Sequence, residues 1–193
     1  MTVTPAAPAD IDELAAVAAE TFPLACPPTT RTEDIASFIT ANLSARRFAE
    51  YLRDRTRAVF VARRGGRIIG YAMVIHSPPT DPDVRRAVTD DSAAELSKIY
   101  LLPGGHGGPT ATGLIDAVID HARTLGAGCI WLGVNQQNAR AQRFYTKHGF
   151  IVKGNKTFQL GAGIEDDYVM VRTMEDRADT PATATTCCNR SDG

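Results

Sequence analysis

The stretch from Ala94 to Phe150 constrains the fold more than any other part of this chain. It reads as strand, glycine-rich turn, helix, strand and short helix. Glu95 to Leu102 is an apolar-rich strand, and Pro103-Gly104-Gly105-His106-Gly107-Gly108-Pro109 is the turn that leaves it. Thr110 to Leu125 repeats apolar residues at helical spacing, with Leu114, Ile115, Val118, Ile119, Ala122 and Leu125 facing a core. Gly126 follows where a helix end calls for left-handed backbone. Cys129 to Val134 is continuously apolar, as in a strand buried on both faces. A second helix opens at Asn138 and carries Tyr145 just before Gly149-Phe150.

The flanking segments complete the architecture. Thr2 to Thr4 forms a short strand, and Asp10 to Phe22 has the apolar period of a helix. Thr32 with Asp34 caps a second helix carrying Ile35, Phe38, Ile39 and Leu43, and Ser44 precedes a third stripe through Phe48, Tyr51 and Leu52. Val59 to Arg63 and Arg67 to His76 make a hairpin around Gly65-Gly66. Ser77 to Ser92, with its three prolines, reads as a long loop. Phe150 to Leu160 and Tyr168 to Met174 form a last antiparallel pair, and residues 175–193 read as a disordered tail. This order predicts an α/β chain with one domain over 1–174, built on a mixed sheet with helices on both faces.

Composition excludes several classes of partner. A net charge of -1 gives no pull toward nucleic acid. No apolar run nears the roughly 18 residues of a membrane span, and the opening Met1-Thr2-Val3-Thr4-Pro5 does not read as a secretory signal. Cys26, Cys129, Cys187 and Cys188 fit neither a disulfide framework nor metal-ligand spacing, and His106 and His148 lack zinc spacing. The expected setting is the cytoplasm, with no metal.

A strand that feeds a glycine-rich turn into a helix start makes an anion site, because unpaired N–H groups and the positive helix end face the ligand. No Gly-Lys-Ser/Thr follows the glycines, which excludes a Walker-type loop, and the position past mid-chain argues against a dinucleotide fold. A structural turn with no ligand remains the alternative.

With these residues in view, Thr2 to Met174 resembles the GNAT superfamily of acyl-CoA-dependent N-acyltransferases. The block Asn138, Ala141, Phe144, Tyr145, Gly149 and Phe150 is similar to the family's Asn-x-x-Ala-x-x-Phe-Tyr-x-x-x-Gly-Phe. The turn is similar to its pyrophosphate loop, with His106 in the Gln/Arg place, Pro109 in the first Gly place and Ala111 in the last. Glu95 to Pro103, Ile130 to Val134, Phe158 to Gly161 and Thr21-Phe22 with Asn42 to Ser44 look like the PaiA-type branch, associated with polyamine acetylation.

The resemblance implies a GNAT fold with a mostly antiparallel, twisted sheet of about seven strands. It implies acetyl-CoA as cosubstrate and a small primary amine, such as a polyamine, as acceptor, with protein amines second. A homodimer is family habit. A CoA-binding sensor without turnover is the alternative, since Pro109 has no N–H to give a phosphate.

His106, Gly107, Gly108, Thr110, Ala111 and Thr112 would hold the diphosphate, the last five through main-chain amides. Ile99, Tyr100 and Leu101 would lie along the pantetheine, with a main-chain N–H near Leu101 facing the oxyanion. Asn138 would approach the pantetheine or serve as an ordinary helix cap. Tyr145 would be the general acid or a core aromatic, and Glu95 the base or a solvated strand-end carboxylate. Trp131 reads as core, His76 as a surface or acceptor-side group. Asp90, Asp91, Asp166 and Asp167 are carboxylates that could attract a polycation. Acceptor choice is expected to reside in Pro23 to Tyr51 and in the Ser77 to Ser92 loop.

Overall fold

The structure is a computed structural model that describes residues 1–104, 108–161 and 163–174. The expected tail, 175–193, and the turn residues Gly105, His106 and Gly107 lie outside the described residues.

The strands are β1 (Thr2–Pro5), β2 (Arg57–Arg64), β3 (Arg67–His76), β4 (Ala94–Leu101), β5 (Cys129–Asn135), β6 (Ile151–Leu160) and β7 (Gly163–Thr173). They form one seven-stranded sheet in the order β1-β2-β3-β4-β5-β7-β6. Every neighbouring pair is antiparallel except β4 with β5. The helices are α1 (Ile11–Thr21), α2 (Thr32–Asn42), α3 (Ala45–Arg53), α4 (Pro82–Ala87), α5 (Pro109–Thr124) and α6 (Ala139–Lys147).

Period-two alternation distributes the strand side chains between two cores. One face buries Ala72, Val74, Leu96, Ile130, Leu132 and Met170 against Leu114, Ile115 and Val118 of α5. The other buries Val59, Val61, Tyr71 and Met73 against Leu14, Phe22 and Phe48 of the α1–α3 side. The β2–β3 turn is a two-residue hairpin in which Gly65 and Gly66 take φ of 58° and 81°. Positive φ at both central positions matches the twist of paired strands, and glycine adopts it without a Cβ clash.

Several local expectations change. The Ser77 to Ser92 segment contains α4, whose first turn is capped by Asp81 Oδ1 accepting from the Asp83 N–H at 2.8 Å. Pro82 stands at the first helical position, where its fixed φ favours a helix and no N–H is missed. In α2, Thr32 is the first helical residue, and the Asp34 carboxylate is held by the Arg31 guanidinium at 2.8 and 2.9 Å. No α2 residue is buried, so that helix is a loosely seated cover. Leu125 is 46% exposed because the helix ends there and turns its side chain out of the core.

Candidate active site

The site begins with a fault in the sheet. β4 and β5 pair only at Ala94 with Ile130 and Glu95 with Trp131, then separate. Ser97 is the extra residue of a β-bulge, since Val74 faces Leu96 while Met73 faces Lys98. Past the bulge, the Leu102 N–H donates to Ile69 O at 2.9 Å, toward β3. Main-chain groups alternate sides along an extended chain, so the N–H and C=O of Leu101 and Ile99 point the other way, into the gap.

The gap opens into a cavity of about 590 Å³, within the size range of small-ligand sites. Of the residues singled out from sequence, Glu95, Ile99, Tyr100, Leu101, Ala111, Asn138, Tyr145 and Asp167 line it together. Gly108 is the N-cap of α5, in extended conformation, and Pro109 takes the first helical position. The Thr112 N–H donates to Gly108 O at 3.3 Å and closes the first helical turn. The amides of Thr110 and Ala111 have no carbonyl to reach within the helix. Thr112 therefore already spends its amide in the helix, and its exposed side chain does not line the cavity. Thr110 is buried.

Asn138 is both cap and wall. Its Oδ1 accepts the Ala141 N–H at 3.0 Å, and the residue lines the cavity. Gln142 fixes the preceding loop by donating to Asn135 O at 3.1 Å and Gln136 O at 2.9 Å. Tyr145 is half-buried, with its ring edge-on to Phe144 at 5.5 Å and Phe150 at 5.9 Å. Burial raises its phenol well above the ordinary value, so the group keeps its proton at neutral pH.

Charges inside the cavity are perturbed by the same loss of water. Burial raises the Glu95 carboxyl, against the opposing pull of Lys156, Lys98 and Arg57. Burial lowers Lys98 to about 8; Glu95 opposes this, while Arg57 and Arg47 add to it. Asp167 is pushed up to about 6 by burial, with Lys156 opposing and Glu165 and Asp166 adding. Glu165 also accepts from Asn135 Nδ2 at 3.1 Å. Gly133 leaves room for these groups: a Cβ there would sit 3.2 Å from Asp167 Oδ2 and 3.5 Å from Lys156 Cδ. One wall is aromatic, with Phe22 stacked on Phe38 at 4.4 Å, Tyr100 edge-on to Phe22 at 6.2 Å, and Phe158 edge-on to Phe38 at 5.9 Å.

Leu24, Ala25, Cys26, Pro27 and Phe38 bring the expected Pro23 to Tyr51 segment to the cavity, whereas no residue of Ser77 to Ser92 reaches it. Asp90 instead binds the Ser92 N–H and hydroxyl in a turn. Asp91 and Asp166 lie off the cavity, as does His76, and Trp131 is 5% exposed in a separate cluster with Val169 and Val171. Sequence reading missed Ser97, Lys98, Lys156, Phe158 and Glu165. The β6 and β7 residues among these repeat with period two, which is the signal that puts them on one face. Among the described residues no His, Cys, Asp or Glu group could hold a metal, and no helix is long and apolar enough to cross a membrane.

Residues 19–150 match the family described as Acetyltransferase (GNAT) family. An uncharacterized N-acetyltransferase of Mycobacterium tuberculosis is 56% identical over 165 residues, covering 86% of this chain and 98% of the relative. Among solved structures, the PaiA N-acetyltransferase of Thermoplasma acidophilum in complex with coenzyme A aligns with a TM-score of 0.68 at 19% identity, over 90% of this chain and 100% of that one. The ribosomal-protein-alanine N-acetyltransferase of Brucella melitensis aligns with a TM-score of 0.66 at 21% identity, again over 90% and 100%.

Proposed function

The chain belongs to the GNAT acetyltransferase family, and we propose that it moves an acetyl group from acetyl-CoA to the primary amine of a small cationic molecule by direct attack. One observation carries this reading: the parted edge of β4, the first turn of α5 and the Tyr145 ring all border one cavity. An extended pantetheine fits the gap as an added strand, taking hydrogen bonds from Ile99 and Leu101. The diphosphate then meets the Thr110 and Ala111 amides at the positive end of α5. Pro109 removes one donor but no helical bond, because it stands at the first helical position.

In the reaction, a neutral amine nitrogen bonds to the thioester carbon as its proton passes to Glu95. The developing oxyanion accepts a hydrogen bond from a main-chain N–H of the parted β4 edge. When the carbon–sulfur bond breaks, the Tyr145 phenol gives its proton to the leaving thiolate. Burial keeps the Tyr145 phenol protonated at neutral pH, so it enters the step as a donor; the same shift makes it a weaker acid, and the transfer is completed as charge builds on the departing sulfur beside it. Burial raises Glu95 against the pull of Lys156, Lys98 and Arg57, which makes its carboxylate a stronger base than a solvated one.

Glu95, Glu165 and Asp167 line the cavity beside the aromatic wall, interleaved with Lys98 and Lys156, and this local pairing of carboxylates with aromatic faces supports an acceptor that carries an amine on an alkyl body. The likeness of Glu95 to Pro103 and of Phe158 to Gly161 to the PaiA-type branch supports the same class, a polyamine or similar compound. The Brucella neighbour has nearly the same TM-score as the Thermoplasma one and a name that specifies a protein alanine, so the fold does not select the acceptor.

Acetyl-CoA at 100 times its dissociation constant is expected to add about 2.7 kcal/mol of stability, read as a rise in melting temperature that ATP and NAD do not give. Thiol release across a panel of monoamines, diamines, triamines and peptides is expected to favour the diamines and triamines. Binding without turnover on any amine would favour a sensor. The Glu95→Gln variant bears on the base. A carboxyl with a raised pKa is ionised only above its shifted value, so wild-type kcat/KM should fall as the pH drops through that raised value. The variant should lose that acid limb along with most of its rate. An unchanged limb would assign the titration elsewhere.

A further inference from the structure

Two residues that a plain strand would separate stand together in the cavity. Glu95 and Lys98 are three apart, and regular alternation would send them to opposite faces of β4. The bulge at Ser97 adds one residue between them. Glu95 then pairs with Ile75 and Lys98 with Met73, both of which pack on the α1–α3 side. Both residues line the cavity. Lys98 is half-buried, its ammonium donates to the Ser97 hydroxyl at 3.3 Å, and it lies 5.6 Å from the centre of the Tyr51 ring. The Arg47 and Arg57 guanidiniums approach the same ring at 5.1 and 5.0 Å. Those two have carboxylate partners in Glu50 and Asp54, whereas among the described residues Lys98 forms no salt bridge. An ammonium short of water and crowded by other cations is costly, so stability does not explain this lysine. An amine that spends part of its time uncharged fits the place.

We propose that Lys98 is an internal acceptor: when no free amine occupies the cavity, its side chain takes the acetyl group from the bound thioester, and the enzyme modifies itself at this position. The step is that of a free acceptor. The Lys98 nitrogen bonds to the thioester carbon and gives a proton to Glu95, the carbon–sulfur bond breaks, and the thiolate leaves with the Tyr145 proton. The products are one Nε-acetyl-lysine and one free thiol, and the proton on Glu95 returns to the phenol through solvent. No further reactant is needed. With its pKa lowered to about 8, about one Lys98 in ten is uncharged at pH 7, against roughly one in 2,500 for an ordinary lysine. Acetylation removes the remaining charge, so the product suits its surroundings better than the ammonium did. This inference rests on the acetyl-CoA reading above.

Incubation of the full chain with acetyl-CoA and no amine, followed by mass spectrometry of its peptides, tests it. The melting temperature with and without acetyl-CoA is read on the same samples. Lys98 is expected to gain its acetyl group about tenfold faster or more than the exposed Lys153, given its larger uncharged fraction. The rate per molecule should not change when the protein is diluted, because donor and acceptor sit in one cavity. The Lys98→Arg variant keeps a cation that cannot form the amide, and the fast label should vanish from it. Stabilisation by acetyl-CoA with no label on Lys98, or with Lys98 and Lys153 labelled at equal rates, would overturn the internal acceptor while leaving the cosubstrate in place. A fast label on Lys156, which also lines the cavity, would overturn the assignment to Lys98. Neither stabilisation nor label would remove the cosubstrate assignment and this site with it.

Discussion

Replacing Tyr145 with Phe is expected to lower kcat by about a hundredfold or more, the usual contribution of a positioned proton donor, and to leave acetyl-CoA affinity within about twofold of wild type. The substitution removes one oxygen and keeps the ring against Phe144 and Phe150, so packing is retained. An aliphatic thiol has a pKa of about 8.5, and departure of its thiolate is eased by a proton donor beside the sulfur. Burial holds the Tyr145 proton in place for that step. A second measurement separates this role from a generally damaged site. With an acetyl donor whose thiol is more acidic, the leaving group needs less help, and the deficit of the variant should shrink. An unchanged kcat would reduce Tyr145 to a core aromatic, and a deficit equal on both donors would point to misplacement of the ring.

Replacing Phe150 with Ala is expected to cost about 3–5 kcal/mol of stability, as for other large-to-small changes of a fully buried aromatic. Phe150 is 0% exposed and packs in the α5-side core. For a chain of this length that loss corresponds to a fall in melting temperature of about 6–20 °C. The effect extends into the site. The Phe150 N–H donates to Tyr145 O at 3.1 Å, and the two rings meet edge-on at 5.9 Å. Arg172 ties the same corner by donating to His148 O. Loss of the Phe150 ring releases the end of α6, so kcat should drop by at least tenfold even well below the melting transition, given that small displacements of a reacting group are costly. Phe150→Leu should recover part of both quantities. A melting temperature within a few degrees of wild type would show that α6 is anchored by other contacts.

Most of the sheet was legible because its strands carry their own period, and Asn138 and Tyr145 were legible because they sit in a block with fixed spacing. Other parts were hidden for specific physical reasons. Pro82 reads as a breaker, yet at the start of α4 it supports a helix behind the Asp81 cap. Lys156, Phe158 and Glu165 look like ordinary solvated residues of a hairpin. They reach the cavity through the register that sets Asn135 opposite Asp167, and Asp167 opposite Lys156. That register depends on distant pairing, to which a local window is blind. The separation of β4 from β5 was hidden for the same reason.

The brief pairing of β4 with β5 has a mechanical consequence. With two register pairs joining them, β1–β4 and β5–β7 behave as two plates riveted at one end, and α5 crosses between them as a brace. A molecule lying along the open seam fastens the plates from within. Loading such a protein stiffens it, and every turnover that frees the spent carrier loosens it again, so the pace of product escape is coupled to how readily the seam flexes.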